Sequence, residues 1–267
     1  MDERSQHADL VRAHFDEHSN AWDRLYREPK IAHDLVLRDR NDIAVDFLAA
    51  HLAPGSRVLD AGCGAGVTCR HLAERGFAVH GVDIADGMVK LCRQQFARHE
   101  LDRSQYEFSV GDINRNTLPA ESFDGIAALG FLEYQENEGE SLAALHRLLR
   151  PGGVAVLSGP IATRISNLFG LSKYYKRWRT RGRAPAVLSV NTYTLKRFTA
   201  LLSAADFTLM AYRRHGYANF QLPYRFKKAL DRVRGEFALH RGLTALSRVL
   251  PVDRFANDIV VMARKTI

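Results

Sequence analysis

The sequence predicts an α/β chain with a doubly wound, mostly parallel sheet and helices on both faces, and three observations carry that expectation. Short apolar runs alternate with stretches whose apolar residues recur at helical spacing. One run, Val58-Leu59-Asp60, passes directly into the glycine-rich turn Ala61-Gly62-Cys63-Gly64-Ala65-Gly66 and then into a helical stretch, Val67 to Arg75, closed by Gly76. The next strand, Ala78 to Ile84, carries Asp83, 21 residues after Gly62. Strand, tight turn, helix and strand make the first half of a nucleotide-binding βαβ unit, with an acid spaced to grip the two hydroxyls of an adenosine ribose.

The remaining elements follow in order. Asn41 reads as the cap of a helix over Asp42 to Leu52, which Pro54-Gly55 ends before the first strand. Residues 86–99 read as a helix with Met88, Leu91, Cys92 and Phe96 on one face. Tyr106 to Ile113 is a strand ending in an acid, Asp112. Residues 136–149 form a helix that turns Leu142, Leu145, Leu148 and Leu149 inward. Thr194 caps a helix over Leu195 to Leu202, and strands follow near Thr208 to Tyr212 and over Asp258 to Ala263. Ligands of such a sheet sit at the carboxyl ends of its strands.

The turn also bears on which nucleotide binds. A dinucleotide lays its pyrophosphate over the amides of a glycine turn, where the carboxylate of Asp60 would repel it, whereas a sulfonium and an ammonium would be attracted. Gly62, Gly64 and Gly66 are spaced G-x-G-x-G, not G-x-G-x-x-G. On these residues the chain resembles the class I S-adenosylmethionine-dependent methyltransferases, and the resemblance extends over residues 57–158. Ser122 to Tyr134 is similar to that family's fourth strand and following loop, and Leu148 to Leu157 to its helix end, Pro-Gly-Gly turn and fifth strand.

The resemblance implies a Rossmann-like sheet of seven strands with an antiparallel last strand, here 258–263. It also implies S-adenosyl-L-methionine as cofactor. Asp60, Ala61, Gly62, Cys63, Gly64 and Gly66 would hold its methionine part, Asp83 its ribose, and Asp112 and Ile113 its adenine, with Ile84 and Met88 also among the cofactor-binding residues. Leu129 and Gly130 would face the transferred methyl. Members that act on small molecules often carry an aromatic N-terminal lid helix. Phe15, His18, Trp22, Leu25 and Tyr26 recur at helical spacing and serve equally as such a lid over the cofactor, with Tyr26 among the residues that would contact it, or as a docking stripe. Arg40, by a looser likeness to ubiquinone-pathway O-methyltransferases, is a candidate for pairing the cofactor carboxylate, or else a surface arginine.

At 267 residues, 46% hydrophobic and 25% charged, the chain can bury one sizeable core, so a single domain is expected. Its parts are a helical lid over 1–40, a cofactor-binding core over 41–160, and helical substrate-side insertions over 161–193 and 218–255. The chain contains no run approaching the ~18 apolar residues of a membrane span, and its start lacks a signal-peptide pattern. Cys63, Cys69 and Cys92 show neither metal spacing nor a disulfide pattern, so a cytoplasmic protein without a metal site is expected. Residues 1–160 carry 17 basic and 25 acidic residues, and residues 161–267 carry 21 and 5. The basic half contains two amphipathic stretches, 164–178 and 224–237, which read as a solvated helical cap, a contact with anionic membrane, or a nucleic-acid surface. Oligomeric state is not legible.

A sulfonium methyl is already an activated electrophile, so catalysis needs alignment of a nucleophile, and a base only where that nucleophile must lose a proton. Candidate bases are Tyr134, His18 and His215; His146, among leucines on a helix, reads as structural. Tyr134 stands where family members often carry a histidine, which leaves the base unassigned. The expected activity is methyl transfer to a small-molecule acceptor, at a hydroxyl of a lipophilic, natural-product or quinone-like compound. The alternatives are an RNA methyltransferase and a cofactor-binding scaffold without turnover. Leu129-Gly130-Phe131-Leu132 lacks the Asn/Asp-Pro-Pro-aromatic loop of amino-group base methylation and so argues against nucleic acid.

Overall fold

A computed structural model describes residues 3–27, 32–99, 102–161, 190–216, 235–247 and 256–266. Helices α1 (Glu3–Arg27) and α2 (Ala32–Ala49) precede β1 (Arg57–Ala61), α3 (Val67–Glu74), β2 (Ala78–Asp83), α4 (Asp86–Arg98) and β3 (Tyr106–Val110). Then come β4 (Phe123–Ala128), α5 (Glu138–Leu148), β5 (Leu149–Pro160), α6 (Leu195–Ala204), β6 (Phe207–His215), α7 (Gly235–Leu246) and β7 (Asp258–Lys265). The strands form a seven-stranded sheet in the order β3-β2-β1-β4-β5-β7-β6. β7 lies antiparallel between β5 and β6, and the pairings from β3 through β5 are parallel, as expected.

Both faces of the central strands are buried because helices cover both, so these strands read as near-continuous apolar runs. Leu59, Ala61, Val82, Ile126 and Leu157 pack with Leu142 and Leu145 of α5 and Phe198 and Leu202 of α6. Val58, Val79, Ala127 and Val156 point the other way, onto Leu48 of α2, Leu72 of α3 and Phe96 of α4. Each such leucine or phenylalanine contributes about 1.5–3 kcal/mol by leaving water. β1 and β4 pair in parallel at the centre, and the order of strand addition reverses there, running outward to β2 and β3 on one side and to β5 on the other. The crevice at their carboxyl ends is therefore the switch point where this architecture takes a ligand.

Local signals explain the ends of several helices. Thr194 caps α6 by accepting from Arg197 N at 3.1 Å, and Asn137 caps α5 by accepting from Glu140 N at 3.2 Å. Asn41 is a correction: it lies inside α2, which starts at Ala32. Val36 and Leu37 extend the buried stripe one to two turns upstream of Ile43, Ala44 and Leu48, so the helix continues through the asparagine. The basic stretches at 164–178 and 224–234 lie outside the described residues, as do the side chains of Trp22, Leu25 and Tyr26. Among the described residues no helix is long and apolar enough to cross a membrane.

Candidate cofactor site

The turn after β1 passes through the left-handed region at Gly62 (φ 74°), Gly64 (φ 53°) and Gly66 (φ 80°). The reasons for glycine differ along it. A Cβ on Gly66 would stand 2.7 Å from Cys92 Sγ and 3.3 Å from Cys92 Cα, so this glycine lets α4 close onto the turn. Gly64 lines the cleft, and a Cβ on it would meet nothing within 4 Å. The cost there is backbone strain together with lost ligand space.

Asp83 holds the turn in shape. Its Oδ2 accepts from Gly64 N and its Oδ1 from Ala85 N, both at 2.9 Å, and the residue is 8% exposed. Gly62 N and Cys63 N both donate to Val82 O, at 2.8 and 3.1 Å. The spacing reading gave Asp83 a role toward ribose alone; the structure adds a brace between the glycine turn and the start of α4. Burial is the largest influence on its carboxyl and, with the neighbouring Cys63, raises its pKa to about 7 against the pull of the two amides.

Asp60, 2% exposed, accepts from Cys69 Sγ at 3.1 Å, and burial, then Cys63, raises its pKa to about 8. Burial thus favours the neutral form of the carboxyl that the sequence reading expected as the anionic partner of a cation. The three cysteines, unremarkable in spacing, converge behind the turn: Cys63 and Cys92 have their Sγ atoms 3.6 Å apart, and Cys92 Sγ donates to Gly64 O at 3.1 Å. The Cys69 and Cys92 thiols, each able to turn a proton toward Cys63, hold its pKa below the usual thiol value despite burial.

Arg40, Asn41, Asp60, the glycine turn, Thr68 and Leu129 line one cleft. The Arg40 guanidinium packs on the backbone of Gly130, where a Cβ would stand 2.8 Å from its nitrogen. Gly130 N donates to Ser158 Oγ at 2.9 Å, so β5 holds the loop that follows β4. Asn41 is 1% exposed; its Oδ1 accepts from Thr68 Oγ1 at 3.2 Å, and its Nδ2 has no hydrogen-bond partner among the described residues. Sequence reasoning missed Asn41, Thr68 and Ser158 at this site. A polar residue set within a buried helical stripe was the available signal for Asn41.

The other predicted positions fall around the same crevice or away from it. Asp112 Oδ1 accepts from Asn114 N at 2.9 Å at the end of β3, and Ile113 is buried. Ile84 is half-buried, while buried Met88 packs with Ala65, Ala85, Leu91 and Phe15. Helix α1 lies across this edge: Phe15 stacks edge-on to Tyr134 with centroids 5.2 Å apart, His7 Nε2 is 2.8 Å from Tyr134 O, and Asp16 Oδ1 accepts from Gly87 N at 2.8 Å. Tyr134 is half-buried beneath this helix. His18 is exposed, with Nδ1 2.8 Å from the carbonyl of His14 in its own helix. His215 is buried at the end of β6, in register with Asp258. His146 stacks edge-on to Phe207 at 5.3 Å, as fits a structural residue. Among the described residues no group of acids, histidines and cysteines is arranged to hold a metal ion.

A family model described as a methyltransferase domain matches residues 59–157, the span from β1 through β5 that builds this crevice. Residues 59–157 are thus similar to a methyltransferase domain, over a little more than a third of the chain. An S-adenosyl-L-methionine-dependent Diels-Alderase of Talaromyces variabilis is 35% identical over 121 residues, 45% of this chain and 41% of that protein. A ubiquinone biosynthesis O-methyltransferase of Xanthomonas campestris pv. campestris is 36% identical over 123 residues, 44% and 49% of the two chains. The chain thus spans about half the length of the curated relatives it matches. Magnesium protoporphyrin IX methyltransferase from Synechocystis PCC 6803, solved with bound SAH, superposes with a TM-score of 0.68 at 18% identity over 97% of this chain and 99% of that one. That likeness establishes a shared fold.

Proposed function

We propose that the crevice binds S-adenosyl-L-methionine and that the chain methylates a small-molecule acceptor, at an oxygen of a lipophilic or quinone-like compound. The observation that carries the cofactor half is the glycine turn braced by Asp83, with Gly64 lining a cleft that also presents Arg40 and the unpartnered Asn41 Nδ2. A guanidinium and an amide donor suit a carboxylate. Asp60 suits an ammonium once it ionises, and Asp83 retains lone pairs for ribose hydroxyls. Asp112 and Ile113 at the end of β3 take the adenine side. When bound, the cofactor supplies an electrophilic methyl.

The chain's own part is to align the acceptor and exclude water, with α1 covering the rim through Phe15 and Tyr134. Tyr134 is the candidate base nearest this rim. The acceptor class is supported by kinship with ubiquinone biosynthesis O-methyltransferases. Kinship with a Diels-Alderase supports a second reading, in which the cofactor is held without methyl transfer. Incubation with labelled S-adenosylmethionine and a panel of phenols and hydroxyquinones separates the two. Acceptor-dependent S-adenosylhomocysteine release supports methylation, whereas tight binding with no release across the panel supports the second reading. Contact of the basic half with an anionic membrane from the cytoplasmic side belongs to the same proposal and is supported by the excess of basic residues in 161–267. Vesicle sedimentation with anionic and neutral lipid tests it.

A further inference from the structure

We propose that Cys63 and Cys92 form a peroxide-sensitive modification site, and that a disulfide between them weakens the cofactor cleft. The two Sγ atoms lie 3.6 Å apart across the interface between the glycine turn and α4, so a disulfide near 2.05 Å needs an approach of only about 1.5 Å. Cys63 lines the cleft, which gives a small oxidant a path to it, while Cys92 is buried behind it. The Cys92 sulfur, 3.6 Å from that of Cys63, is the thiol positioned to resolve an oxidised Cys63. The neighbouring thiols also favour the thiolate of Cys63, the form that reacts with peroxide.

The chemistry balances with hydrogen peroxide as oxidant. The Cys63 thiolate attacks one peroxide oxygen, the O–O bond breaks, and hydroxide leaves, giving a sulfenic acid. The Cys92 sulfur then displaces that oxygen, the S–S bond forms, and the Cys92 proton leaves with the oxygen as water. The result removes the S–H that donates to Gly64 O at 3.1 Å. It also draws Cys92 sideways under Gly66, where there is no room for even a methyl group. Both changes fall on the turn whose Gly64 amide is held by Asp83.

The effect on cofactor rests on the proposed function, but the disulfide itself does not. The full chain is treated with hydrogen peroxide, mapped by peptide mass spectrometry, and titrated calorimetrically with S-adenosylhomocysteine before and after dithiothreitol. The expected result is loss of two hydrogens from a Cys63–Cys92 cross-linked peptide pair, an affinity at least tenfold lower, and recovery on reduction. Cys92→Ser keeps a hydroxyl donor toward Gly64 O, so it is expected to bind like the parent when reduced and to stop at a dimedone-trapped sulfenic acid on Cys63. Absence of the Cys63–Cys92 link in folded protein, a link from Cys63 to Cys69 instead, or a complete link with unchanged affinity each overturns the proposal. If the reduced protein fails to bind S-adenosylhomocysteine, the cofactor assignment falls and the mapped disulfide still reports on the thiol pair.

Discussion

Replacing Asp83 with asparagine tests the brace and the ligand contact together. The carboxamide has the carboxylate's shape but only one acceptor oxygen, so one of the two amides now bound, Gly64 N or Ala85 N, faces an NH2 group. A buried donor left without an acceptor costs about 1–3 kcal/mol. At about 2.1 cal/mol/K per residue, unfolding of the 267-residue chain carries an entropy near ~0.56 kcal/mol/K, so the melting temperature should fall by about 2–5 °C. Asp83→Ala strands both amides and should cost about twice as much. Ribose hydroxyls donating to a carboxylate are worth about 1.5–3 kcal/mol each, so affinity for S-adenosylhomocysteine should drop at least about tenfold in either variant. Circular dichroism melting and isothermal calorimetry read the two effects separately. An unchanged melting temperature in Asp83→Asn would refute the brace, and unchanged affinity in a folded variant would remove Asp83 from the site.

Three further outcomes follow from the same geometry. Gly64→Ala should weaken cofactor binding far more than Gly66→Ala does per degree of melting temperature lost, because one glycine lines the cleft and a Cβ on the other strikes Cys92; equal binding-to-stability ratios would contradict this. Burial raises the folded pKa of Asp83 to about 7, above the ordinary carboxyl value, so its contribution to ligand-free stability is full below about pH 4 and is lost as pH rises through about 7. A ligand that hydrogen-bonds the ionised form must release that proton, so affinity should rise from pH 5.5 to about 7, and Asp83→Asn should release one proton fewer on binding, the remaining slope coming from Asp60, as calorimetry in buffers of different ionisation enthalpy would read; an unchanged proton release in the variant would assign the slope elsewhere. Phe15→Ala removes the ring from Tyr134 and from the Met88 cluster, costing about 1–3 kcal/mol locally, so amides of α1 should exchange hydrogen faster and cofactor should dissociate faster; unchanged exchange would refute α1 as a docked cover.

Period and punctuation determined most of the architecture in advance. The alternation of buried runs and amphipathic stretches, the glycine turn between Leu59 and Val67, and acids at strand ends are local signals, and β1 to β5 with their helices follow them. The glycine turn was legible for the same reason: left-handed backbone at Gly62, Gly64 and Gly66 requires a residue type that the sequence displays. Side-chain convergence across elements is not a local property, and there the sequence fell short. Asn41 looked like a cap because its neighbours allow one, yet the stripe from Val36 to Leu48 keeps it in α2 and turns it toward Thr68. Cys63, Cys69 and Cys92 have no telling spacing, and only the closure of α4 over Gly66 brings their sulfurs together behind the turn. Whether Asp60 and Asp83 carry charge was likewise undecided by residue type. It is the water excluded by helices on both sides of β1 and β2 that lifts both carboxyls to near-neutral pKa values, a consequence of burial that exists only once the chain has folded.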